Sequence, residues 1–137
     1  LSDKCIAWPA VSPDSSLIAC LYQSDPAAKL ELGILPMAGG NPLKVFPLPA
    51  STQQDWGAHS RGNLFAWTPD GRSVAYDIAS GNFENVWVQP LTGGKARQIT
   101  FFKSEEIETF GWSPDGSQFA LSRGRTSTDA VLFSNFH

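Results

Sequence analysis

Three aspartates sit in one repeated setting, and they are the first place to look for chemistry. Asp14 follows Ser12-Pro13, Asp70 follows Thr68-Pro69, and Asp115 follows Ser113-Pro114. Carboxylates that converge could exchange protons with a substrate or hold a cation. Here each has a sufficient local task instead. Proline presets φ at the second position of a turn, aspartate accepts from nearby backbone N–H groups, and a following glycine takes positive φ at little cost. Gly71 and Gly116 supply that last residue. Ser15 stands there in the first copy, where left-handed backbone costs a non-glycine residue roughly 1–2 kcal/mol.

Other reactive-looking groups fare no better. Gly57-Ala58-His59-Ser60-Arg61-Gly62 approximates a nucleophile elbow, but it has one residue too many before the serine and no helix after it. His59 and His137 are the only histidines. Asp55 with His59 makes a poor ligand pair, and Cys5 and Cys20 are far from both in sequence, so no metal centre is expected. Gly39-Gly40 and Gly93-Gly94 fall between strands rather than ahead of a helix, which is not a phosphate cradle. A hairpin folded about Asp14 and Ser15 sets Cys5 beside residue 24 and Cys20 beside residue 9. That register predicts two free thiols. The expectation is a non-enzyme without catalytic residues, cofactor or metal. Recognition remains: Asp55, Trp56, His59 and Arg61 combine an aromatic anchor with hydrogen-bonding groups, a mix enriched at interfaces. They lie on the longest irregular stretch, residues 48–63, and are the expected binding residues.

The elements that must carry these residues repeat. Trp112-Ser113-Pro114-Asp115-Gly116 is preceded and followed by apolar strands, as are Trp67-Thr68-Pro69-Asp70-Gly71 and Val11-Ser12-Pro13-Asp14-Ser15. Val88-Gln89-Pro90-Leu91-Thr92-Gly93-Gly94 matches Ile34-Leu35-Pro36-Met37-Ala38-Gly39-Gly40 in type. One unit is therefore four short strands, with one turn after the first and another after the third. Pro13 and Pro69 are 56 residues apart, and Pro69 and Pro114 are 45 apart. Four strands at periods of about 40–50 residues read as propeller blades. The fold class is all-β, a partial β-propeller with three four-stranded blades, the last incomplete, and half of a six-bladed ring. Blade one covers about 5–47 and an inter-blade loop about 48–63. Blade two covers about 64–100, and blade three about 107–136, with its third strand near 130–134. Phe65 and Trp67 point to one face of their strand, as do Phe110 and Trp112, while Ala66 and Gly111 point to the other. Large against small lets successive blades interleave, so the tryptophans read as core.

Bulk composition agrees. The 137 residues are 42% apolar with a net charge of −3. No apolar run reaches the ~20 residues of a membrane helix. The ten basic residues are scattered, so neither nucleic acid nor direct membrane contact is expected.

Trp-Ser-Pro-Asp-Gly before an apolar strand, then Val86-Trp87-Val88, Pro90-Leu91-Thr92-Gly93-Gly94 and Arg97-Gln98-Ile99-Thr100, resembles the TolB-like propeller repeat, a WD-type repeat. Within that family, Trp8-Pro9-Ala10-Val11-Ser12-Pro13-Asp14 is most similar to the C-terminal propellers of bacterial serine/threonine protein kinases. The resemblance implies the last three blades of a longer chain, serving as the sensory or scaffold part of a signalling protein. It would bind a protein or small ligand through inter-blade loops. The location it implies is the extracytoplasmic side of a membrane-anchored protein, with the cytoplasm as the alternative. Two other roles stay open: the substrate-gating propeller of a prolyl-oligopeptidase-type hydrolase, and a homodimer closing a ring from two three-blade arcs.

Overall fold

The computed structural model describes residues 4–49, 51 and 64–125. Strands β1 (Cys5–Val11), β2 (Leu17–Tyr22), β3 (Glu31–Pro36) and β4 (Lys44–Pro47) form sheet one, antiparallel and in chain order. Sheet two repeats the plan with β5 (Phe65–Trp67), β6 (Ser73–Ser80), β7 (Phe83–Pro90) and β8 (Arg97–Gln98). Among the described residues sheet three has two strands, β9 (Glu106–Trp112) and β10 (Phe119–Gly124). The third strand expected near 130–134 lies outside the described residues.

The three first turns share one hydrogen-bond scheme. In each, the N–H of the left-handed residue donates to the carbonyl of the opening Ser or Thr: Ser15 to Ser12, Gly71 to Thr68 and Gly116 to Ser113, at 2.8–2.9 Å. The left-handed residues have φ of 59° at Ser15, 66° at Gly71 and 72° at Gly116. The opening hydroxyl donates to the aspartate and accepts the N–H that starts the next strand, as when Leu17 donates to Ser12 Oγ at 2.9 Å. Ser or Thr is needed there because it bridges both sides of the turn.

The cysteines overturn one expectation. Cys5 and Cys20 form a disulfide, with Cα atoms 5.8 Å apart. An even register would have kept them apart, but β1 has irregularities between Cys5 and Ala7 and between Ala7 and Ala10. Pro9 has no N–H for the ladder, and Trp8 beside it adopts φ of 47°. The slippage pairs Cys5 with Tyr22 instead of residue 24, one diagonal step from Cys20.

Two apolar layers join the sheets. Leu21, Leu30, Leu32 and Ile34 of sheet one and its flanks meet Phe65, Trp67, Val74 and Tyr76 of sheet two. Ala75, Val86 and Val88, on the opposite face of sheet two, meet Ile107 and Phe110 of sheet three, with Trp112 and Phe119 packed beside them. The aromatic residues of each first strand are therefore junction core. Trp67 Nε1 also donates to the Ala10 carbonyl at 2.8 Å across the first junction. Lys44 Nζ reaches the Leu91 carbonyl, tying strand β4 of sheet one to the second turn of sheet two.

Candidate recognition site

The binding residues expected from sequence, Asp55, Trp56, His59 and Arg61, lie outside the described residues. The entrance to their segment does not. Ser51 borders a cleft of about 540 Å³ at the β6–β7 end of sheet two, with Ile78, Ser80, Phe83, Trp87 and Gln98 among its other walls. Sheet pairing explains this set. Phe83 opposes Ser80 across the two-residue hairpin, and Trp87 opposes both Tyr76 and Gln98 on its two neighbouring strands. Gln98 is oriented by a bond from Nε2 to the Thr100 carbonyl at 2.7 Å. The cleft thus offers two aromatic walls and an oriented amide. None of the described residues that line it carries a titratable side chain.

A second cleft, also about 540 Å³, opens on the turn side between sheets two and three. Asp70, Asp115, Arg97 and Trp112 line it. Its carboxylates are not poised for proton transfer. A bond from the Ser113 hydroxyl, and then bonds from Ser117, lower the Asp115 pKa to about 2. Thr68, and then the Arg72 N–H, lower that of Asp70. Asp14 is held at about 2 by Ser12 and Ser16 in the same way. All three stay ionised at neutral pH as turn locks.

Between these two ends the second junction contains polar groups that sequence reasoning did not single out. Glu84 is buried and accepts the Ile107 N–H at 2.6 Å. Asn85 Oδ1 accepts from Phe102 N at 2.7 Å and from Thr100 Oγ1 at 3.0 Å, while its Nδ2 donates to the Phe102 carbonyl. Thr100 Oγ1 in turn accepts the Val86 N–H at 2.8 Å. These bonds staple the connection between sheets two and three to strand β7. Arg123 closes over it, with its guanidinium 3.6 Å from the Phe102 ring centroid and 3.3 Å from Glu105 Oε2. Asp77 lies on the same face of sheet two, and its Oδ1 is buried without a hydrogen-bond partner in the structure. Burial, followed by the charge of Glu84, pushes its pKa up to about 7. The signal was readable: Asp77 and Glu84 interrupt the apolar alternation of β6 and β7 on the face shared with Ala75, Val86 and Val88.

No family model matches the chain. Among curated proteins, Tricorn protease homolog 1 of Streptomyces coelicolor is 36% identical over 55 residues, which is 40% of this chain and 5% of that protein. A solved TolB structure from Agrobacterium tumefaciens superposes with a TM-score of 0.56 at 20% identity, covering 85% of this chain and 41% of its own. TolB from Acinetobacter baumannii gives 0.60 at 17%, covering 88% and 27%. The chain spans a small part of the curated relative and less than half of either solved chain. The architecture is all-β and β-propeller-like, and its solved neighbours are TolB proteins.

Proposed function

We propose that this chain is a non-enzymatic recognition segment of a β-propeller, binding a protein or small ligand at the end of sheet two where the long connection begins. In this reading residues 5–47, 64–100 and 107–136 are three blades of a six-bladed ring. Asp55, Trp56, His59 and Arg61, on the same connection in sequence as Ser51, are its proposed contact residues. One observation carries the proposal: among the described residues, the cleft at Ser51 is walled by Phe83, Trp87 and Gln98. Such a site offers stacking surface and a hydrogen-bonding amide. Selection of a random peptide library on the full chain tests it. Enriched peptides should lose at least fivefold in affinity on Trp56→Ala and on Gln98→Ala. Enrichment insensitive to both would overturn it.

The sensory or scaffold role in a bacterial signalling protein such as a serine/threonine kinase rests on the similarity of the Trp8 to Asp14 stretch. The Cys5–Cys20 disulfide fits an oxidising, extracytoplasmic compartment for such a protein. The 36% identity to a protease homologue favours a second reading, a propeller attached to a hydrolase. The flanking coding sequence separates them: a kinase or DNA-binding domain upstream supports the first, and a hydrolase domain downstream supports the second.

A further inference from the structure

The two junctions pack alike but close differently at the turn end. In the first, Trp67 is buried and its indole N–H donates to the Ala10 carbonyl at 2.8 Å. Lys44 crosses the same junction to the Leu91 carbonyl. Trp112 and Arg97 hold these two places in the second junction. Trp67 opposes Val74 as Trp112 opposes Phe119, one residue before the Ser/Thr-Pro-Asp turn. Lys44 opposes Ile34 as Arg97 opposes Val88, two residues before the proline that ends the strand. Among the described residues neither the Trp112 nor the Arg97 side chain donates a hydrogen bond or enters an ion pair.

Both instead line the turn-side cleft of about 540 Å³. Turns held further apart are not the cause. A Cβ on Gly71 would lie 3.8 Å from the Pro13 ring, and one on Gly116 would lie only 2.9 Å from Pro69. The turns meet more tightly at the second junction, and Pro69 and Gly116 are walls of the cleft. Trp112 is half-buried there, steadied by Phe119 with ring centroids 4.7 Å apart.

The first junction shows what such donors take. Indole and guanidinium groups donate and do not accept, and both cross-junction bonds of the first pair end on backbone carbonyl oxygens. Polypeptide carbonyls therefore fit Trp112 Nε1 and Arg97. Charge narrows the choice further. Asp115 lines the same cleft; Ser113 and Ser117 bond its carboxylate, and among the described residues no basic side chain pairs with it. Asp70 is there too, but Arg72 already sets a positive charge beside it. A lysine or arginine side chain gains from an ionised carboxylate and from an aromatic face, and an acidic one is repelled by the carboxylate.

We infer that the cleft between the first turns of sheets two and three is a second recognition site, for an extended basic peptide. Trp112 Nε1 and Arg97 take its backbone carbonyls, and Asp115 takes a lysine or arginine side chain. β6 runs from Ser73 in this cleft to Ser80 in the cleft at Ser51, a span of about 23 Å at about 3.3 Å per residue. The two sites are separate and fail separately.

The probe is the blocked peptide acetyl-Val-Lys-Val-Lys-Val-amide, titrated into the isotope-labelled full chain while the indole N–H signals are followed by NMR. The Trp112 signal, assigned by its loss in Trp112→Phe, should shift saturably. The Trp67 signal should stay in place, and it reports in the same spectrum that each variant is folded. Arg97→Gln and Asp115→Asn should each weaken the peptide at least fivefold. Asparagine can still accept the Ser113 and Ser117 bonds, so the second change removes the charge and keeps the turn. Glutamates in place of the lysines should weaken the peptide at least tenfold. No saturable shift at Trp112, an equal response to the acidic peptide, or an affinity that both variants leave unchanged would overturn the inference. A shift at Trp87 alone would place the peptide in the cleft at Ser51, which overturns this site and leaves the proposed function standing. Lysine amide matching the peptide at equal concentration would reduce the site to a cation contact and overturn it as well.

Discussion

Leu21 and Leu30 enter the junction between sheets one and two; at the matching positions of the next junction the chain places Asp77 and Glu84. The equivalence follows from pairing, since Ile18 opposes Leu35 as Val74 opposes Gln89, each one step before the proline that ends its strand. Leu21 is fully buried, and Leu30 nearly so. Among the described residues the first junction is thus held by apolar contact, with the Trp67 indole bonding the Ala10 carbonyl and Lys44 reaching the Leu91 carbonyl at its edge. The second gives up two aliphatic side chains and gains directed bonds that fix the connection leading to β9. Apolar contact stabilises without direction, while buried hydrogen bonds fix geometry at a modest net gain. One architecture therefore supports a strongly packed junction and a geometrically specified one.

Exchanging the residues breaks the comparison most sharply. Leu21→Asp puts an unpartnered carboxyl into the apolar junction and removes a buried leucine, at a cost of roughly 4 kcal/mol or more. Urea unfolding at pH 7.5 should show that loss or a chain that does not fold. An unchanged midpoint would mean the first junction is not the packed core described above.

Asp77→Leu should act in the opposite direction and change the pH profile. Asp77 rises from 3.8 to about 7 in the folded chain, so its charged form is disfavoured by folding. Below about pH 4 both states hold the proton and there is no penalty. Between about pH 4 and 7 the unfolded chain ionises first, so stability falls as pH rises, and the loss is complete above pH 7. Replacing the group should raise stability at pH 7.5 by about 2–3 kcal/mol and flatten that window. The turn locks Asp14 and Asp115 act in a separate window. Their pKa values are depressed to about 2 from 3.8, so their contribution is present above pH 4 and lost as pH falls toward 2. A wild-type profile that rises from pH 4 to 7 would refute the assignment to Asp77.

Glu84 shares the face but not the behaviour, because it has a job. Its carboxylate accepts the Ile107 N–H, so Glu84→Leu leaves a buried donor unpaired at a cost of about 1–3 kcal/mol. Glu84→Gln, which can still accept, should recover most of it. Amide exchange at Ile107 reads this directly, with faster exchange expected in the leucine variant and near-wild-type exchange in the glutamine variant. Equal protection in both would show that the connection is held by Asn85 alone.

The strands and turns were legible because their signals are local. The Ser/Thr-Pro-Asp turn, the alternation of Phe65 with Trp67 and the Pro-x-x-Gly-Gly turn each fix a backbone shape within a few residues. The disulfide was not, because Cys5 meets Cys20 only after two register slips around Pro9 and Trp8. Proline inside a first strand was the available warning. The buried carboxylates are legible only by comparing one repeat with the next, because Asp77 and Glu84 break the pattern that the turn acids make. Asp77 and Glu84 gain their meaning from the leucines they replace one sheet earlier.

The smallest expected effect bears on the turns, where the junctions differ by less than an ångström. Ser15 shows that a serine can occupy the left-handed position, at φ of 59°. Gly71→Ser should therefore cost only about 1 kcal/mol, the price of left-handed backbone in part offset by a stiffer unfolded chain. Gly116→Ser bears the same backbone term, and its Cβ must also displace Pro69, 2.9 Å away. The second junction should thus lose about 1 kcal/mol more than the first for the same substitution. Pro69→Ala gives the discriminating control. If close stacking on Pro69 causes the difference, Gly116→Ser in that background should cost no more than Gly71→Ser does in the wild-type chain. A difference that persists without the proline ring would place its origin in the turn itself, and the tighter stacking of the second junction would carry no energetic weight.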